Sequence, residues 1–311
     1  MDINEALEHS KEILKILSIE NISKSCNKDN DKRNLYFKIH ANNSEYKGGP
    51  FFYSEEKLLH FTSVENLCNI INTNSIRLHT LDNCNDKLEL AYWDKMFHKS
   101  DFGFYKNHHI LSASFTRPDK YDDLLMWRLY GESGNGVCIE FAIENKPEDW
   151  HKFLLAPIQY QKDDSLVNSY FEALEEFEKR YKYKIDLNLS PIIPFFKSSD
   201  WEQEHEIRMI YYNDDLVEDY SIKRLEVVKQ QGIIYYTPFP LNHYSKYEEF
   251  TIKDKDRIPN LRISKIYTGF DKSDKRFYQL LNLISDYKNY TLKQPERKIE
   301  IEALGIQRKI R

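Results

Sequence analysis

Leu58-Leu59-His60-Phe61-Thr62-Ser63-Val64-Glu65 is the stretch from which the fold is best read. Leu58 to Phe61 is a short apolar run with the length of a strand. Thr62 is followed three residues later by Glu65, the spacing of a capping box, in which hydroxyl and carboxylate each satisfy an orphan amide at a helix start. Val64, Leu67, Ile70 and Ile71 then recur at the period of one helix face. Asn72-Thr73-Asn74 interrupts the stripe, and Ile76 and Leu78 alternate with Arg77 and His79 as in a half-buried strand. A strand–helix–strand unit is therefore expected.

Working outward, His109 to Phe115 has strand composition and is stopped by Pro118. Asp122 or Asp123 can cap a short helix running to Tyr130, and Gly131, Gly134 and Gly136 form a turn into a strand over 136–142. Leu166, Tyr170, Leu174 and Phe177 predict a long helix over 166–183, and further helices are expected over 88–98 and 273–286. Glu202 to Tyr212 alternates in its second half, and later strands are expected at 232–237, 247–252, 262–268 and 298–303. This order has no regular βαβ period and no internal repeat. It predicts an α+β fold with a mixed, largely antiparallel central sheet and flanking helices. Ile3, Leu7, Ile13, Leu14 and Leu17 follow helical spacing, and residues 21–50 are polar. Residues 1–50 are accordingly expected as a helical or irregular appendage, and 51–311 as a single α+β domain.

Composition narrows the chemistry. Nine glycines in 311 residues is well under half the usual ~7%. Neither G-x-x-x-x-G-K-[ST] nor G-x-G-x-x-G occurs, so a glycine-built phosphate loop is excluded. Lys and Arg number 45 against 50 Asp and Glu, a net charge of −5, which disfavours a general electrostatic duplex binder. Cys26, Cys68, Cys84 and Cys138 form no C-x-x-C, and His98, His108 and His109 complete no metal-ligand spacing, so no metal is expected. The acidic N-terminus lacks the apolar run of a signal peptide, and no 18-residue apolar span is present. A cytoplasmic protein with no membrane partner is expected.

Candidate site residues stand in several of these elements. Glu204-His205-Glu206-Ile207-Arg208 would place both glutamates and the arginine on one strand face, with an apolar face opposite. Such paired carboxylates suit acid–base chemistry, and the same pattern also fits a solvated edge strand with a salt bridge. His60 ends a strand before a capped helix, where a side chain reaches a cleft or bonds to backbone in the core. Ser112 and Ser114 share a strand face, and Tyr130 beside Gly131 can stack on a planar ring or pack in the core with Met126 and Trp127. The Lys-rich end from Lys293 to Arg311 is expected to be a solvated terminus.

The segments Leu59–Ser63, Asn85-Asp86-x-x-Glu89, Ser112–Thr116 with Leu125–Gly131 and Gly136–Phe141, and Lys197-x-x-x-Trp201-x-x-Glu204-x-Glu206-x-Arg208 occur in order. This succession resembles a large bacterial family of unknown function (DUF2971), found often in mobile and phage-defence loci. The likeness covers about residues 57–305, with Lys87 in place of the family's usual proline. The family is similar, in the order of its polar residues, to the ADP-ribosyltransferases. That resemblance implies an ADP-ribosyltransferase-like fold and an effector or toxin using NAD as substrate. It also implies an unspecified protein or nucleic-acid acceptor and a regulatory partner protein. His60 would be the early-strand residue, Ser112, Ser114 or Tyr130 the middle one, and Glu204 and Glu206 the late pair. Glu206 would hold a ribose hydroxyl and stabilise cationic charge, while Glu204 orients or deprotonates the acceptor. Tyr130 or Phe115 would stack on nicotinamide, and Arg77 or Arg208 would meet the pyrophosphate. Two other readings stand beside it: a nuclease holding Mg²⁺ on Asp86, Glu89, Glu204 and Glu206, and a non-enzymatic module binding nucleic acid or protein through aromatic residues.

Overall fold

The structure is a computed structural model, and it describes residues 3–18, 27–29, 34–37, 43–81, 110–187, 189–212, 224–228, 232–242 and 257–310. Asp86, Glu89, His98, His108, His109, Cys26, Cys84 and the expected elements at 88–98 and 247–252 lie outside the described residues. In chain order the first elements are α1 (Ile3–Ile16), β1 (Asn27–Asp29), β2 (Asn34–Phe37), β3 (Lys57–Thr62), α2 (Val64–Thr73), β4 (Ser75–Thr80) and β5 (Ile110–Thr116). Next come α3 (Leu124–Leu129), β6 (Val137–Ile143), β7 (Phe153–Pro157), β8 (Gln159–Gln161), α4 (Ser165–Tyr181), β9 (Lys184–Leu187), β10 (Phe196–Ser198) and β11 (Glu206–Tyr212). The chain continues through β12 (Arg224–Val228), β13 (Gly232–Pro240), β14 (Leu261–Thr268), α5 (Lys275–Asp286), β15 (Glu300–Ala303) and α6 (Ile306–Ile310).

The strand–helix–strand unit is β3–α2–β4, with one correction to its cap. Thr62 is still the last residue of β3, and the helix is capped by Ser63, whose hydroxyl accepts the Asn66 amide at 2.9 Å. Asp123 caps α3 in the same way. Both caps relieve amides that have no partner inside the helix.

The central sheet is mixed and largely antiparallel, in the order β12-β13-β4-β5-β3-β6-β14-β15, and β11 joins β5 on one edge and β7 on the other. β14 and β15 run parallel; the other ladders of this sheet are antiparallel. The fold class is α+β.

The expectation of a solvated edge strand at 204–208 is overturned. β11 is paired on both edges, and all seven of its residues are buried. Ile207, Met209 and Tyr211 enter the core under α2 and α5; Ile210 and Tyr212 enter a second core that includes Ala6, Leu14 and Leu17 of the N-terminal segment and Val167, Tyr170, Phe177 and Tyr181 of α4. A strand covered on both faces must be apolar wherever it is not paired or charge-compensated, and Glu206 and Arg208 are the charged exceptions.

Of residues 1–50, expected as an appendage, Ala6, Ile13, Leu14, Leu17 and Leu35 lie in this second core. α1 lies along α4, and Arg180 pairs with Glu5 at 2.8 Å. Phe37, Tyr46 and Phe51 join the same cluster. A helix with one apolar stripe has to bury it, and α4 presents a matching stripe at the same period.

Candidate functional site

The site arises because β3 and β4 diverge from a shared edge of β5. β4 pairs with β5 only through His79↔Ser112 and Thr80↔Leu111, and β3 only through Leu59↔Thr116. Between these ladders, Ala113 to Phe115 face neither strand. A cleft of about 890 Å³ opens at the gap, walled by β3, α2 and β4 on one side and by α3 and the Lys197–Arg208 segment on the other.

On β5, Ser114 lies directly opposite Arg208, and Thr116 opposite Glu206. Opposed residues in an antiparallel pair share a face, so these side chains converge. The Ser114 hydroxyl donates to Glu206 Oε1 at 2.6 Å, and Arg208 Nε donates to the same oxygen at 2.9 Å. Arg208 Nη1 donates to the Pro194 carbonyl at 2.6 Å. Lys197 Nζ reaches Glu204 Oε2 at 2.7 Å and Glu206 Oε2 at 3.2 Å, and rests 5.0 Å from the Trp201 ring centre. The Tyr130 hydroxyl donates to Glu204 Oε1. The Glu206 amide donates to the Tyr160 hydroxyl at 2.9 Å. Burial alone would push the Glu206 carboxyl up; Arg208, Lys197 and the Ser114 bond outweigh it and hold the group below its ordinary 4.5. Burial and the Glu206 charge push the Tyr160 phenol up.

Glu204 is not on the strand face proposed for it. It ends a 3₁₀ turn, and His205 follows in the left-handed region at φ 47° before β11 begins at Glu206. Thr116 ties this turn to the end of β5 through a 2.9 Å bond to the Glu204 carbonyl. The two carboxylates therefore meet across the Lys197 ammonium by a bend in the backbone.

His60 stands in β3 at the gap, and its Nδ1 lies 3.0 Å from the Ser114 carbonyl. A carbonyl only accepts, so Nδ1 carries the proton and Nε2 is the acceptor nitrogen. Burial lowers the imidazole from its ordinary 6.5, and the Ser114 bond opposes this only in part. The Phe115 ring stands 5.9 Å away, edge to face. Ser112, Arg77 and Tyr130 also line the cleft; Arg77 lies 4.7 Å from the Tyr236 ring centre.

All eight candidate residues, His60, Arg77, Ser112, Ser114, Tyr130, Glu204, Glu206 and Arg208, thus line one cleft. Sequence reasoning gave no role to Lys197, Trp201, Tyr160 or Thr116. Lys197 and Trp201 stand in the quoted Lys197–Arg208 spacing, which was a usable signal; nothing local marks Tyr160.

Among the described residues no group of three or more His, Cys, Asp or Glu is placed to hold a metal. The Lys197 ammonium lies between the two carboxylates, in the space where a divalent cation shared by them would sit. The glutamates therefore do not fit the Mg²⁺ set, whose other members, Asp86 and Glu89, lie outside the described residues. Among the described residues, no helix is long and apolar enough to cross a membrane.

A family model described as a protein of unknown function (DUF2971) matches residues 126–209. That span holds Tyr130, Lys197, Trp201, Glu204, Glu206 and Arg208, and the match supports the family assignment. Methionine aminopeptidase 2 of Komagataella phaffii is 47% identical over 57 residues, a stretch covering 18% of this chain and 12% of that protein. No solved structure matches the chain.

Proposed function

We propose that the cleft binds NAD, breaks its nicotinamide–ribose bond and passes the ADP-ribosyl group to an acceptor. One observation carries this reading: Glu206, held as an anion, lies in a roomy cleft and shares Ser114 with His60. About 890 Å³ lies toward the upper end of the roughly 300–1,000 Å³ of small-molecule sites, room for a dinucleotide.

The chemistry follows from charge. When the C1–N bond breaks, its electron pair leaves with nicotinamide, and positive charge develops on the ribose ring. A fixed carboxylate stabilises that charge in a partly dehydrated site. The nucleophile of the acceptor then bonds to the same carbon and gives up its proton to solvent or to a nearby base. Ser114 and Arg208 engage Glu206 Oε1, which directs Oε2 toward the ribose. His60 Nε2 accepts from a ribose hydroxyl, and Phe115 and Tyr130 offer ring faces or edges to nicotinamide. Arg77 is the better partner for the pyrophosphate, because the Arg208 guanidinium is buried and engaged by Glu206 and Pro194. The defence setting, the toxin role, a macromolecular acceptor, a restraining partner protein and a cytoplasmic location complete the reading, and these rest on the family resemblance and on sequence composition.

The test is incubation with labelled NAD and cell lysate, followed by mass spectrometry of whatever carries label. The wild-type chain should transfer label, and Glu206→Gln should lower transfer by about 10²–10³-fold while its thermal unfolding stays cooperative. A fully active Glu206→Gln protein would overturn the reading.

A further inference from the structure

We infer that Glu204 and Lys197 form a positioning pair: Glu204 anchors the Lys197 ammonium, and Lys197 keeps Glu206 charged and aimed, so that Glu206 alone acts at the reacting atoms. This rests on the role given to Glu206 above and departs from a role for Glu204 as base.

The hydrogen bonds argue for it oxygen by oxygen. Glu206 Oε1 accepts from Ser114 and Arg208, and Glu206 Oε2 from Lys197. Glu204 Oε1 accepts from Tyr130, and Glu204 Oε2 from Lys197. Both oxygens of Glu204 thus accept from side chains of the protein, and the residue is 4% exposed. The ammonium sits nearer Glu204, at 2.7 Å, than Glu206, at 3.2 Å. Glu204 therefore sets where the ammonium lies, and the longer contact is the one a ligand hydroxyl or cationic centre can replace. Two anions and two cations close the group at zero net charge, which offsets the cost of burying them. The left-handed His205 makes the arrangement possible, since a continued strand would hold the two glutamates side by side.

The groups that face Glu206 are Arg208 beside it on β11, Lys197 on β10, Tyr160 on β8 and Glu204 in the turn, with Tyr130 at the C-terminal end of α3 behind Glu204 and His60 of β3 behind Ser114. Of these, Lys197 and Arg208 supply the positive charge on Glu206. Loss of Lys197 raises the pH at which Glu206 takes up a proton.

The experiment measures transfer and thermal melting against pH in Lys197→Met, Lys197→Arg, Trp201→Leu and Glu204→Gln. Lys197→Met should move the acid limb of transfer upward by about one pH unit or more, and Lys197→Arg should bring it back. Trp201→Leu, which removes the ring under the ammonium, should move the limb the same way by less, and it serves if Lys197→Met does not fold. Glu204→Gln should cost about tenfold, against the roughly 10²–10⁴-fold loss expected of a missing general base. Transfer that falls with an unmoved limb, or a base-sized loss in Glu204→Gln, overturns the inference while leaving the transferase reading intact. If the wild-type chain transfers nothing, the melting profile decides: a stability fall that starts at higher pH in Lys197→Met supports the pair, and superimposed profiles overturn it.

Discussion

Ser114 is the residue on which the two sides of the cleft meet, with its hydroxyl on Glu206 and its carbonyl on His60. A hydrogen bond to a charged group is worth about 1.5–3 kcal/mol. Ser114→Ala is expected to lose that much in urea denaturation, and less when Glu206 is already Gln. His60 makes a prediction with a definite sign. Its imidazole is held below 6.5 by burial, so the neutral form stabilises the fold fully above that value, and the contribution fades as pH falls through the lower folded-state value. Titration by NMR should show it; an imidazole titrating at or above 6.5 would contradict the burial argument. Both candidates were legible as residue types in a pattern. Their contact was not, since they are 54 positions apart and meet only because two strands separate.

At the scale of elements, periodicity served well where an element was long enough to show it. α2, α4 and α5 were all legible from apolar spacing, and each carries a buried face at that spacing. β8 and β10, three residues each, show no period at all; their partners come from elsewhere in the chain. The start of β11 was misplaced because alternation of Glu204 and Glu206 looks the same whether the backbone is extended or bent at His205. The cap of α2 was misplaced by one residue for a similar reason, since Thr62 and Ser63 both offer a hydroxyl. Ser63→Ala should therefore cost about 0.5–2 kcal/mol, measured by denaturant unfolding, and an unaffected midpoint would return the cap to Thr62.

For the whole molecule, β11 is covered on both faces and the N-terminal helix belongs to one of the covers. Leu14, fully buried beside the α4 residues, should cost about 2–5 kcal/mol when cut to Ala. A single cooperative transition lowered by that amount is expected; an unchanged melt would show α1 to be dispensable to the body. The sequence by itself determined the class of fold, through mixed helical and alternating periods without βαβ order, and it excluded a glycine-built phosphate loop outright. It also named Glu204, Glu206, Arg208, Arg77, Ser112 and Ser114 among the residues that line the cleft, though not Lys197 or Thr116, because polar side chains inside apolar elements stand out against the period. Only the tertiary structure decided that β11 is central, that Glu204 turns away from the strand, and that Lys197 joins the two carboxylates. Those outcomes depend on which strands share an edge and on how buried charges are paired, and both are set by contacts between segments far apart in the chain.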